Sequence, residues 1–591
     1  MRHDAIRFET YAPPPPPDPA RMDVACFIGH IAPRGDAVLP EALLDDLAQA
    51  FGQSRASLAM PGGLVNRPVP VTSVAGFEAI FDTDARLERR ATIDGGPLAA
   101  ALPGSGVPDT LAIVIDGVIR EVDLRPLPLT PQEAADRIVA AGLGLDVSLQ
   151  SGPGGAFLRL ALPAARGAGT LAVLPCPTLG FPETRRARTR PLPSPMTLAV
   201  RQFFAMGGRK AVVVGMGAAP PYDCPRAERM AALQRLFVAA PPPAVPDMLS
   251  VINALSGALP SPAAAPETRH GPAHLHGLPE VTFVLFPDLP ELVAPPPGVA
   301  AQREPGPQPD AVFAECLPAP TEAHDADDTP WLAPVLDATG HALWTVALRH
   351  GLDILRADVR DTLLVAALPR AAASLPVIEP PRSAFLQLAE GWVRSTASAT
   401  APQGLMAPDA VLAGHLARLA LTSGTFVSAA TLPLAPLRDI ERRAARTTAP
   451  SCRLLADRHG LHLQSDLTTS DDPAWADGPV SRIMAMLLRQ ARDLGQELAF
   501  EPNGPRLWGR VRDVLEGLLA AMLRAGALAG TGPGDSYTVR CDTSTMSRQD
   551  IDTGALIAEV TFRPAVPVAR ITVRLPLTES PGAAFGQGGP A

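Results

Sequence analysis

"FEPNGPRLWGRVRDVLEGLLAAMLRAGALAG" occupies residues 500–530, and its reading organises the C-terminal third of the chain. A strand end and a sharp turn lead into one long helix. Leu507, Val511, Val514, Leu515, Leu518, Leu519, Met522 and Leu523 recur at helical spacing, which puts them on one broad apolar face. Leu507, Trp508, Val511, Leu515, Leu518, Leu519 and Met522 are the expected core residues of this helix. Asn503 is the expected cap and Gly530 fits the C′ position. Fully burying each such Leu or Val is worth roughly 1.5–3 kcal/mol. Nothing in the stretch is catalytic, so the helix reads as a rigid strut packed on a sheet spanning 537–575.

The flanking segments fill out this unit. Helices are expected at 384–393, 409–420 and 480–497, and strands at 452–456 and 461–466. "VARITVRL" (568–575) alternates Val568, Ile571 and Val573 with Arg570, Thr572 and Arg574, an imperfect strand pattern. At the other end of the chain, Ile6, Phe8 and Thr10 alternate with Arg7 and Glu9 in "AIRFETY". A run of five prolines (13–17) then blocks continuation and forms a stiff polyproline spacer. A strand held off its own domain in this way is available to pair elsewhere.

Between these ends, "DVACFIGHIAPRG" (23–35) is a buried strand ending in a Pro/Gly turn. "VPVTSVAGFEAIFD" (69–82) is a strand and then a short helix carrying Phe77 and Phe81 on one face. Residues 105–185 form a separate unit. Asp116-Gly117 is its first hairpin turn, Thr130, Pro131 and Glu133 open a capped helix, and a second hairpin turns at 152–155. "SPMTLAVRQFFAMGGRKAVVVGMG" (194–217) is a helix, a Gly-Gly stop and a buried strand, and "LPEVTFVLFPDLP" (278–290) holds another strand. Pro/Ala-rich linkers surround both, and 295–330 reads as loose.

Composition bounds the function. A chain of 591 residues has room for three or four domains. Its 68 prolines are more than twice the usual share of about 5%. The net charge of −9 is spread out, whereas a nucleic-acid surface needs clustered cations. Lys210 is the only lysine, which reflects codon bias of a GC-rich genome. The cysteines at 26, 176, 224, 316, 452 and 541 have no CxxC spacing and read as small buried hydrophobes of a reducing compartment. No signal peptide or membrane span is expected, and the chain is expected to be made in the cytoplasm.

Candidate chemistry is sparse. Gly215-x-Gly217 follows a strand, but Pro220 stands where a dinucleotide fingerprint needs its third glycine. His270, His274 and His276 offer three imidazoles, here within a Pro/Ala linker that reads as solvated. "HDADD" (324–328) reads as a solvated loop, and Gly534-Asp535-Ser536 lacks the elbow that presents a nucleophile. No catalytic set, metal site or cofactor is expected, and the chain is expected not to be an enzyme.

The order of segments resembles the contractile tail sheath proteins of bacteriophages and of phage-derived extracellular injection systems. Four blocks carry the resemblance. They are "DVACFIGHIAPRG", "LAVRQFFAMGGRKAVVVGMG", the stretch 405–437 with Gly414, Arg418 and Gly424, and the long C-terminal block beginning "SDLTTSDDPAWADG". The family's usual "PGVYVEE" opening is absent, and Ala407 and Asp409 stand where a Pro-Ser-Gly turn is usual. The resemblance implies an α+β multidomain chain: an α/β sheath core domain at the C-terminus (371–575), a middle α/β domain (23–104 and 186–370) and an inserted small β-rich module (105–185). An N-terminal arm (1–22) and a disordered tail (576–591) complete it.

The family resemblance implies a subunit that polymerises in helical rings around an inner tube and contracts without a nucleotide. Its partners would be further copies of itself, the inner tail tube protein, and baseplate and tail terminator proteins, with no direct nucleic-acid contact. It would assemble in the bacterial cytoplasm and then stand in a virion tail or an extracellular particle. Terminal arms add strands to neighbouring sheets in that family, which marks Ile6, Phe8, Thr10, Val568, Ile571 and Val573 for inter-subunit strand exchange. The alternative is a non-contractile tail or baseplate protein built on a sheath-like domain.

Overall fold

Three strands with uninterrupted apolar sequence, ACFIG, AVVVG and LLVAA, lie at the centre of the largest sheet, and every residue in them is buried. Such runs suit parallel strands covered on both faces. The computed structural model describes residues 21–565 and the backbone of strand 571–576. Within 21–565 it leaves out 38, 61, 85, 99–109, 126–129, 153–154, 164–168, 299–330, 358–360, 372–376, 431, 442–446, 459 and 499–500. The N-terminal strand and proline run, Cys316, the loop 324–328, Val568 and the tail beyond 576 lie outside the described residues.

The sheet has eight strands: β1 (Ala25–Gly29), β2 (Pro68–Val71), β3 (Ala211–Gly215), β4 (Phe283–Leu285), β5 (Leu363–Ala367), β6 (Leu386–Glu390), β7 (Cys452–Asp457) and β8 (Gly460–Leu463). Their spatial order is β8-β7-β6-β5-β4-β1-β3-β2. β1 pairs in parallel with β3 (Ala25 opposite Ala211) and with β4 (Ala25 opposite Phe283). β4, β5, β6 and β7 continue in parallel, while β2 and β8 close the two edges antiparallel.

Alternation along each strand splits the core into two layers. Ala25, Phe27, Val213 and Val365 face helices α1 (Pro195–Ala205) and α5 (Asp409–Thr422). Cys26, Ile28, Val212, Val284 and Leu364 face α2 (Arg226–Phe237), α3 (Met248–Leu255) and α4 (Ala338–Ala357). Helices on both faces make this an open, doubly wound sheet. It runs across residue 370, where the sequence reading divides two domains.

The segment expected as a helix over 384–393 is strand β6. Its apolar run is too short for periodicity to separate helix from strand. Leu386 and Leu388 are fully buried between neighbouring strands, and Gly391, at φ 105°, ends the strand.

A second layer is built from α6 (Gly478–Leu498), α7 (Pro505–Arg524) and the antiparallel strands β9 (Tyr537–Arg540), β10 (Ile557–Phe562) and β11 (Ile571–Pro576). One core joins the two helices to β9 and β10, and Met22 reaches into it.

The inserted module has its own core, which takes in Ala91, Ile93 and Ala187 as well as residues inside 105–185. Its first hairpin turns at Asp116 and Gly117, both at positive φ (50° and 80°), and its helix opens with the full Thr130–Glu133 capping box. Leu87–Arg89 pairs with Arg190–Pro191 as a two-stranded neck.

Candidate functional site

The sequence-marked residues fall in three places. Ile6, Phe8, Thr10 and Val568 lie outside the described residues. Ile571 and Val573 stand in β11, opposite Phe562 and Val560 of the same chain. β11 is thus already paired on one side and is the outer strand of its sheet.

On α7, Leu507, Val511, Leu515, Leu519 and Met522 are buried, and Trp508 and Leu518 pack half-buried against the same core. Val514 departs from the expected face. It is 44% exposed, because the stripe that meets β9 is narrower than the sequence pattern. The expected caps also differ. Asn503 accepts the Trp508 indole N–H (2.7 Å) and donates to the Ala555 carbonyl, and Gly504 is the N-cap. Gly526, at φ 82°, follows the C-cap Ala525 where Gly530 was expected.

α6 joins the two layers. Arg482 grips Asp466 with two bonds (3.0 and 2.7 Å) and donates to the carbonyls of Thr425 and Val427. Both side chains are at most 2% exposed. Burial alone would raise Asp466, but Arg482 and the donors Ala429 N–H and Gln387 Nε2 hold its carboxyl below the usual range.

Two turns further on, Arg489 pairs with Asp361 (3.1 Å) and donates to the carbonyls of Arg21 and Val281 and to Thr282 Oγ1. Arg492 adds a second guanidinium on Asp361 (2.8 Å). Arg21, Val281–Thr282 and Asp361 stand just ahead of β1, β4 and β5, and Gln387 is the second residue of β6. Seven helical residues rise about 10 Å, the width of about two strand spacings. α6 is therefore a crossbar along the N-terminal edge of the sheet, pinned strand by strand through arginines. Sequence reading missed it because its carboxylate partners lie 16 and 128 residues away.

A second junction joins two of the sequence blocks. α1 and α5 cross closely, and a Cβ on Gly414 would lie 2.7 Å from Met206 Cβ and from the Phe203 carbonyl oxygen. Gly207, at φ 107°, abuts the Arg418 side chain, where a Cβ would come within 2.9 Å. Only glycine permits this approach. Above the crossing is a cavity lined by Arg86, Tyr222, Glu291, Trp392 and Asp409 among others.

The weaker candidates have structural roles. After Gly215 the chain turns at Gly217, and the next helix begins only at Arg226. The histidine stretch is a 3-10 turn, Gly271–Gly277, and not a solvated linker. His274 is buried beside Asn66 Oδ1 (3.2 Å), and burial lowers its pKa to about 4. His270 bonds the Arg235 carbonyl (2.7 Å). Ser536 is buried, and Asp535 pairs with Arg563 (2.7 Å). Cys26, Cys176, Cys224, Cys452 and Cys541 are free and buried. Among the described residues no group of three His, Cys, Asp or Glu is placed to hold a metal, and no helix is long and apolar enough to cross a membrane.

No protein-family model matches the chain, and no curated protein matches it. Among solved structures it is similar to the helical sheath of the anti-feeding prophage in its contracted state, at 18% identity over 64% of this chain and 81% of that one (TM-score 0.40). It is similar to the sheath tail protein of Desulfitobacterium hafniense at 10% identity over 97% of this chain and 99% of that one (TM-score 0.34). A likeness to a chain of the anti-feeding prophage baseplate, at 22% identity, covers 38% of this chain and 63% of that one (TM-score 0.33). This chain therefore spans less than two thirds of that baseplate chain.

Proposed function

We propose that the chain is the structural subunit of a contractile tail sheath, polymerising in helical rings around an inner tube. The observation that carries this reading is the convergence of its sheath-like sequence blocks. Blocks starting near 23, 197 and 405 supply β1, α1–β3 and α5, which pack as neighbours in one sheet and its covering layer. The C-terminal block supplies the α6 crossbar that pins this sheet to the α7 layer.

A body pinned in this way moves as a unit. Contraction then needs rigid-body rotation of subunits and no bound nucleotide, from an extended state held by a kinetic barrier. The connections between subunits are the arms. The strand of Ile6, Phe8 and Thr10 is carried on its proline spacer to a neighbour, and Val568, Ile571 and Val573 belong to the joint at the other end. A strand at the edge of a sheet can accept a partner through its backbone alone. Inner tube, baseplate and terminator proteins are the further partners, with assembly in the bacterial cytoplasm preceding the finished particle. The inserted module serves as a surface decoration.

Removing residues 1–17 tests the reading. The truncated chain is expected to stay soluble and fold with an unchanged melting curve, but to form no sheath polymers in negative-stain micrographs. Normal polymers from it overturn the arm mechanism.

A further inference from the structure

In chain order, the parallel strands β1, β3, β4, β5, β6 and β7 stand in the sheet as 2-1-3-4-5-6. The chain steps from β1 to β3 on one side, then passes back over β1 to β4 on the other. The crevice outside the carboxyl ends of β1 and β4 is the switch point of an open α/β sheet, where such sheets take phosphate-bearing ligands. α1, the helix of the first crossover, points its N-terminus there; Pro195 has no N–H and Ser194 Oγ takes the Thr197 N–H, which leaves the Met196 amide at this end.

That position is already filled. Asp288, three residues past β4, is 2% exposed. Its carboxylate accepts the backbone N–H of His30, the first residue after β1, and burial raises its pKa to about 7. A Cβ on Gly29 would lie 2.7 Å from Asp288 Oδ2, so the strand end is cut back to admit the carboxylate. Among the described residues Asp288 Oδ1 has no hydrogen-bond partner. The nearby Arg86 is tied to Glu291 and to the Pro220 carbonyl, and the His30 ring bonds the Ala232 carbonyl (3.0 Å). The carboxylate thus takes the amide at the end of β1, as a bound oxyanion would.

We infer that Asp288 is a built-in ligand: its carboxylate occupies the oxyanion position of the switch-point crevice and closes to outside phosphates the site this sheet order would otherwise offer. The site admits a tetrahedral oxyanion only when the carboxylate is removed. The inference stands whether or not the chain forms a sheath.

The test is thermal melting of the full chain at pH 8 in sodium sulfate, against sodium chloride of equal ionic strength. D288A is expected to gain a saturable, sulfate-specific rise in Tm on the order of 2 °C or more, because only the folded state binds the ion. The unsubstituted chain is expected to show only the small, unsaturating rise that sulfate gives any folded protein. Equal responses from the two proteins overturn the inference. If D288A does not fold, G29A and G29A/D288A decide. The methyl takes the vacated space, so the double variant is expected to melt above G29A and to show no saturable response to sulfate. A double variant that melts below G29A, or does not fold, overturns the inference.

Discussion

At the scale of single residues, buried charge is the main determinant. Among the described residues Arg482 is the only ion-pair partner of Asp466, and both are buried. R482M therefore leaves an uncompensated carboxylate, with an expected loss of about 3–5 kcal/mol, read as a lower urea midpoint of the main unfolding transition. R489M should cost less, since Arg492 still pairs with Asp361. Asp409 makes the opposite kind of contribution. Burial raises its pKa to about 6, and the local Ala410 N–H opposes this only in part. Its folded pKa lies above the unfolded value of about 4, so its contribution is fully present below pH 4 and is lost as pH rises through 6. The stability of the parent chain relative to D409N is thus expected to fall between pH 4 and pH 6 and to level off above. A flat difference across that window refutes the assignment. Sequence inspection marks Asp409 only as a departure from a family turn, because its burial comes from the layers packed around it.

At the scale of elements, α7 tests how far periodicity reaches. Leu515 is 1% exposed in the core shared with α6, β9 and β10, while Val514, its neighbour, is 44% exposed. L515D places a charge in that core and is expected to abolish cooperative melting of the C-terminal layer, with amide exchange in β9 and β10 losing protection. V514D should change the midpoint by no more than about 0.5 kcal/mol. Wild-type exchange in L515D excludes the strut role. The stripe was legible because it repeats for five turns. Its true width was not, since that depends on the curvature of the sheet it meets. The same limit explains β6. Leu-Gln-Leu-Ala-Glu is too short to carry a helix or strand period of its own, and burial between β5 and β7 decides.

At the scale of the whole molecule, α6 pins the large sheet to the C-terminal layer, and the inserted region has a core of its own. The module hangs on the neck between Leu87–Arg89 and Arg190–Pro191, and its core is separate from those of the large sheet. Replacing 90–189 with a short Gly/Ser linker is therefore expected to leave a chain that folds, melts with the remaining transitions unchanged and, on the proposed sheath function, polymerises as the parent would. Loss of polymers from a folded deletion variant assigns the module to the lattice contacts instead.

The sequence by itself determined what a few neighbouring residues settle: the Asp116-Gly117 hairpin, the Thr130 capping box, and the helices containing 409–420, 480–497 and the Leu507–Met522 stripe. Each rests on interactions within about four residues, so local pattern is sufficient. Only the tertiary structure decided that 386–390 is a strand, that α6 lies across the starts of β1, β4 and β5, and that Asp288 meets the amide of His30 from 258 residues away. These contacts are set by topology and by the cost of burying a charge without partners, and neither leaves a local signature in the chain.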